Sequence, residues 1–205
     1  MQLDEKILAE ISPRFKETDD ITEYNQLKML SAFIKNGVTE SAFAGSTGYG
    51  YDDRGREILE RVMADAMGAE DSLIRHNFVS GTHTLTVALF GLLRPGDKVL
   101  VLTGRPYDTI TGVFGIDEKT DGSLADFGVE YHEIALLPDG TPDKAAIKKE
   151  LAANTYKMAY IQRSRGYSTR PSLTIEKIRE LCDIVRETSP KSIIMVDNCY
   201  GEFTE

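Results

Sequence analysis

Apolar residues recur at helical spacing through the first part of the chain, then give way to short apolar runs alternating with amphipathic stretches. Ile21, Tyr24, Leu27, Leu30, Phe33 and Ile34 follow the helical period within residues 3–36, and Gly37 supplies a stop. Residues 44–53 are polar and glycine-rich and read as a loop. The period returns over residues 56–67 with Ile58, Leu59, Val62, Met63 and Ala66, and Gly68 is the expected C′ residue. Beyond it, strand-like runs at 72–79, 98–102, 129–134, 156–162 and 192–196 alternate with helical runs at 82–93, 143–153 and 175–187. Thr141, with Pro142 at the first helical position, is the expected cap of the second of these helices, and Ser172 or Thr174 that of the third.

Apolar strands that alternate with helices predict an α/β fold: a mostly parallel sheet sandwiched by helices. Ligands in such folds gather at the carboxyl ends of strands, near helix N-termini. Ser80-Gly81-Thr82, Tyr107, Arg163-Ser164-Arg165 and Asp197 each follow a strand and are expected along one sheet edge. In this reading residues 1–50 form a helical arm and loop, and residues 51–205 form the larger α/β domain.

Composition narrows the picture. The 205 residues are 41% hydrophobic and 28% charged, enough for one sizeable core. A net charge of −9 argues against nucleic acid or an anionic membrane surface as the main partner. The two cysteines, Cys182 and Cys199, make no disulfide framework and suit no zinc site. The N-terminus carries charges where a signal peptide needs an apolar stretch. No segment approaches the roughly 20 apolar residues that cross a bilayer. A soluble, reducing, cytoplasmic setting is the expectation, and no histidine pair has metal spacing.

The candidate chemistry is a set of pieces. Ser80-Gly81-Thr82-His83-Thr84 opens a helix, and a helix N-terminus offers unpaired N–H groups and partial positive charge to a phosphate. An ordinary capped helix accounts for the same residues. Asp197 ends an apolar strand, where a carboxylate needs a partner: a pyridinium nitrogen, a helix N-terminus, a magnesium ion or a salt bridge. Tyr107 either stacks on a flat heteroaromatic group or packs against the sheet. Arg163, Arg165 and Arg170 are dense for a strand-end loop and hint at anion recognition. Asp52, Asp53, Arg54 and Arg56 form either a solvated charged turn or, with Tyr51, an arm reaching a phosphate across a subunit boundary. Phosphate turn, aromatic and strand-end aspartate together look like a pocket for pyridoxal 5′-phosphate.

The segments 46–53, 80–83, 104–109, 162–167 and 196–203 together resemble the methionine gamma-lyase family proteins. These are also called aluminium resistance proteins, and they are related to the cystathionine beta/gamma-lyases of fold type I. The resemblance covers nearly the whole chain. It implies a pyridoxal-phosphate-dependent carbon–sulfur lyase acting on a sulfur-containing amino acid, in a homodimer or homotetramer. Ser80, Gly81 and Thr82 would hold the phosphate, Tyr107 would stack on the ring, Asp197 would pair with the pyridinium, and Arg165 would join them. Tyr51 with Arg54 or Arg56 would serve the partner subunit's phosphate. The family's Schiff-base lysine follows the aspartate, and none follows Asp197 here, since Lys157, Lys177 and Lys191 all precede it. The lysine and the smaller C-terminal domain are therefore expected beyond Glu205, so this chain reads as an N-terminal part, inactive alone. An aminotransferase or aldolase of the same fold, and a non-catalytic module retaining it, are the alternatives.

Overall fold

The computed structural model describes residues 2–49, 51, 53–118 and 120–205. They divide into two compact units, one of residues up to Phe78 joined by Phe203–Glu205, the other Val79–Glu202.

The first unit is helical. Helix α1 (Gln2–Lys35) and helix α2 (Arg54–Met67) flank a short 3-10 turn, Glu40–Phe43. Ala32, Ile58, Val62 and Ala66 form its core, with Met29, Val38 and Ala42 against them. Asp53 caps α2: its carboxylate accepts the Arg56 N–H at 3.1 Å and pairs with the Arg56 guanidinium at 3.1 Å. Gly68 closes the helix in the left-handed conformation expected of it. Gly55 sits where a Cβ would lie 2.3 Å from the Ala42 carbonyl oxygen. Gly55→Ala should therefore destabilise the unit by about 1–3 kcal/mol despite alanine's better helix propensity of about 1 kcal/mol. Thermal unfolding of the variant measures this, and a stabilised variant would refute it.

Residues 72–79, expected as a strand, form none. The Ser72 hydroxyl donates to the Glu60 carbonyl at 2.7 Å, the Ile74 N–H donates to the Glu60 carboxylate at 3.0 Å, and Arg75 pairs with that carboxylate. Polar groups of Ser72, Ile74 and Arg75 are satisfied by α2, and the Phe78 N–H by the Arg75 carbonyl at 3.1 Å, rather than by a ladder, so a run that suits a strand stays irregular.

The second unit is the α/β part. Helix α3 (Gly81–Leu92), strand β1 (Lys98–Val101), helix α4 (Asp108–Phe114), strand β2 (Glu130–Glu133), helix α5 (Lys144–Ala153), strand β3 (Met158–Gln162), helix α6 (Ile175–Thr188) and strand β4 (Ile193–Asp197) follow in order. The sheet runs β2-β1-β3-β4 and every pairing is parallel. Alternate residues feed opposite faces. Val99, Val101, Met158 and Tyr160 pack with Leu89 of α3 and with Ile110 and Phe114 of α4. Leu100, Leu102, Ala159 and Ile161 pack with Ile147 and Leu151 of α5 and with Leu181 and Val185 of α6. Helices therefore cover both faces of the parallel sheet, as the apolar strands predict.

Two local expectations change. Asp143, not Thr141, caps α5, its carboxylate accepting the Ala146 N–H at 2.9 Å. Thr141 instead turns its hydroxyl to Asp139 at 2.6 Å. Helix α4 has no counterpart among the expected elements, because Thr109, Ile110, Thr111, Gly112 and Val113 are weak helix formers. Burial of Ile110 and Phe114 against the sheet outweighs that preference. Thr174 is the cap of α6, accepting the Lys177 N–H at 3.3 Å. Among the described residues no helix is long and apolar enough to cross a membrane.

Candidate functional site

The carboxyl ends of β1, β3 and β4 and the N-terminus of α3 border one cavity of about 390 Å³. Gly81, Thr82, Tyr107, Ser164, Gly166, Asp197 and Tyr200 are among its lining residues.

Ser80 caps α3 in extended conformation, its hydroxyl accepting the His83 N–H at 3.1 Å. The Ser80 carbonyl accepts the Thr84 N–H at 3.0 Å, so the first turn is formed. Apart from Gly81 itself, its chain neighbours and the backbone of its own helix, no atom lies within 4 Å of where a Cβ of Gly81 would stand, which leaves the backbone open to a ligand. The Thr82 hydroxyl meets that of Thr109 at 2.9 Å and links α3 to α4.

Asp197 is the last residue of β4 and is 7% exposed. One carboxylate oxygen accepts the Cys199 N–H at 3.1 Å, and the other accepts the buried Tyr160 hydroxyl at 3.3 Å. Burial, and then the neighbouring Asp197 carboxylate, raise the Tyr160 phenol above its ordinary range, so it stays a donor.

Tyr107 caps α4, and its ring lies 5.6 Å from that of Tyr167 at 34°. The hydrogen bond with Tyr167, then desolvation and neighbouring negative charge, push the Tyr107 phenol up to about 12. Because this exceeds the ordinary 10, the contact contributes fully below pH 10 and is lost as pH rises toward 12. Tyr167→Phe should return Tyr107 toward 10. Carbon-13 NMR of labelled tyrosine reads this, and an unmoved titration would exclude Tyr167 as the cause.

The arginines divide. Arg163, 6% exposed, donates from Nε to the Leu173 carbonyl at 3.0 Å, and from Nη1 to Asn198 Oδ1 at 2.9 Å and the Gly201 carbonyl at 2.7 Å. Arg170 donates to the carbonyls of Gln162 and Pro171 at 3.0 and 3.1 Å, and to that of Ser164. Arg170 binds backbone carbonyls and Arg163 binds backbone carbonyls and the Asn198 amide, which accounts for their density without an anion. Arg165 is exposed and is not among the lining residues of the cavity.

Tyr51 and Arg54 are exposed in the first unit, where Arg56 is engaged by Asp53. Asp52 lies outside the described residues. A larger cavity of about 490 Å³ also lies in that unit. Its Asp53 and Arg56 pair with each other and its Arg75 pairs with Glu60, so its charges are already matched.

Sequence reasoning passed over Thr109, Tyr160, Gln162 and Tyr200 as site residues. Each stands in or beside a segment singled out for other members, and strand parity alone would put Tyr160 and Gln162 on one face. Tyr200 has a positive φ of 68°, which no local pattern announces.

The α/β fold is that of pyridoxal-phosphate enzymes of fold type I. At the level of fold alone, the pyridoxal-5′-phosphate dependent protein YhfS of Escherichia coli superposes with a TM-score of 0.63 at 18% identity over 85% of this chain. The chain belongs to the methionine gamma-lyase family, whose model matches residues 1–205. A Listeria innocua crystal structure described as a "putative cystathionine beta-lyase involved in aluminum resistance" is 49% identical with a TM-score of 0.94, covering 100% of this chain and 50% of that one. A carbon-sulfur lyase involved in aluminum resistance from Clostridium novyi NT is 44% identical with a TM-score of 0.93, covering 98% of this chain and 48% of that one. The uncharacterized protein YnbB of Bacillus subtilis (strain 168) is 43% identical over 201 residues, 98% of this chain and 48% of the relative. The chain thus spans about half the length of the relatives it matches.

Proposed function

We propose that this chain carries the cofactor-binding part of a pyridoxal-phosphate-dependent carbon–sulfur lyase acting on a sulfur-containing amino acid. The observation that carries the reading is the convergence of the α3 N-terminus, Tyr107 and Asp197 on one cavity. Its residues fit the cofactor chemically. The open backbone at Gly81, with Ser80 and Thr82, suits a phosphate. Tyr107 offers an aromatic face, and Asp197 offers a carboxylate to a protonated ring nitrogen. When bound, the cofactor supplies an electron sink for cleavage of bonds at the amino acid's α- and neighbouring carbons.

In this reading the chain's own residues bind and orient. Tyr160 and the Cys199 N–H hold the Asp197 carboxylate by both oxygens, so its charge is aimed before the ligand arrives. No lysine among the described residues lines the cavity. Tyr51 and Arg54 are assigned to the phosphate of a second subunit, in a homodimer or homotetramer. Arg165 is assigned to the cavity's approach.

Pyridoxamine 5′-phosphate needs no lysine and is the direct probe. Saturable binding by this chain, competed by inorganic phosphate, supports the reading. Absence of binding by a folded chain defeats it.

A further inference from the structure

We infer that Gln162 is a positioning residue, whose buried side-chain amide ties the loop after β1 to the loop after β3 and thereby sets where Tyr107 stands at the cavity. The inference rests on the cofactor reading for its purpose, though not for its geometry. Gln162 ends β3, is 3% exposed and pairs in register with Asp197. Its Oε1 accepts the Tyr107 N–H at 2.6 Å, across 55 residues of sequence, while its Nε2 donates to the Ser164 carbonyl at 3.0 Å. Tyr107 and Ser164 both line the cavity.

The main chain of Gln162 is fastened as well. Its N–H donates to Thr103 Oγ1 at 3.0 Å, and its carbonyl accepts from Arg170 at 3.0 Å. The amide therefore projects from a fixed base. Its task needs one acceptor and one donor on the same side chain, which glutamine supplies and neither glutamate nor methionine does. On the far side, Gly166 lies against the tyrosine ring: with φ +56°, its Cβ would stand 2.8 Å from Tyr107 Cδ2. The ring is thus bounded by Gly166, and its backbone is anchored by Gln162.

The test uses the full chain and residue-resolved amide hydrogen exchange by NMR, with pyridoxamine 5′-phosphate and inorganic phosphate as probes. In Gln162→Met, exchange at the Tyr107 amide is expected to accelerate by about tenfold or more, while amides of β1 and β3 keep their rates. Affinity for pyridoxamine 5′-phosphate should fall by about tenfold, with that for inorganic phosphate unchanged. Gln162→Glu keeps an acceptor and should restore protection at Tyr107. Unchanged exchange at Tyr107 in Gln162→Met overturns the inference, as does an equal loss of both ligands, which would mean general loosening. Should Gln162→Met fail to fold, Gln162→Glu decides: loss of Tyr107 protection there overturns the inference. If the unaltered chain binds no pyridoxamine 5′-phosphate, the cofactor reading falls, and exchange at Tyr107 alone judges Gln162.

Discussion

Replacing Asp197 by asparagine is expected to weaken pyridoxamine 5′-phosphate binding by about 10–100-fold, the equivalent of roughly 1.5–3 kcal/mol for a hydrogen bond to a charged group. The amide has the carboxylate's shape and can still accept from Tyr160 or Cys199, so the fold should survive. What it loses is the negative charge facing a protonated ring nitrogen. Inorganic phosphate, which needs only the α3 N-terminus, should bind as before. Fluorescence titration of both ligands separates the two effects. Equal affinity of variant and unaltered chain for pyridoxamine 5′-phosphate would remove Asp197 from the site.

Arg163→Met is expected to have the largest effect on stability, about 2–4 kcal/mol. Methionine fills much of the volume but leaves the Leu173 and Gly201 carbonyls and Asn198 Oδ1 without their donor. The turn at 198–201 depends on that guanidinium. Gly201 admits no Cβ, which would lie 2.4 Å from Arg163 Nη1. Tyr200 holds its left-handed backbone inside the same turn, a conformation that persists only while its surroundings impose it. Urea unfolding measures the loss, and a change below about 1 kcal/mol would show that water replaces the guanidinium.

Much of the α/β architecture was legible because burial imposes period on the chain. Residues 99–102 and 158–161 are apolar at consecutive positions, and both faces of their strands are covered. Thr174 and Gly68 act where helix-end chemistry puts them. Where two polar residues competed for a cap, local pattern chose wrongly: Asp143 and Thr141 are both capable, and only the path of the chain selects Asp143. The irregular course of residues 72–79 had no local signal either, since Glu60 of α2 supplies the partners of Ser72, Ile74 and Arg75.

The site divides in the same way. Tyr107 and Asp197 could be grouped from sequence, because residues that follow parallel strands emerge at one edge; Gly81 and Thr82 join them as the first turn of α3, although the strand expected before them does not form. The tasks of the arginines could not. Three guanidinium groups in a strand-end loop look alike in sequence, yet two are buried struts and Arg165 is exposed.

By itself, the sequence determined the class of fold and the residue types available at the ends of β1, β3 and β4, since these follow from period and local backbone preference. Only the tertiary structure decided which of those groups are already satisfied and which face the cavity. The bonds that settle this join distant residues, such as Tyr107 to Gln162 and Arg163 to Gly201. Such pairings depend on how the strands and their loops are brought side by side, which no short window of sequence contains.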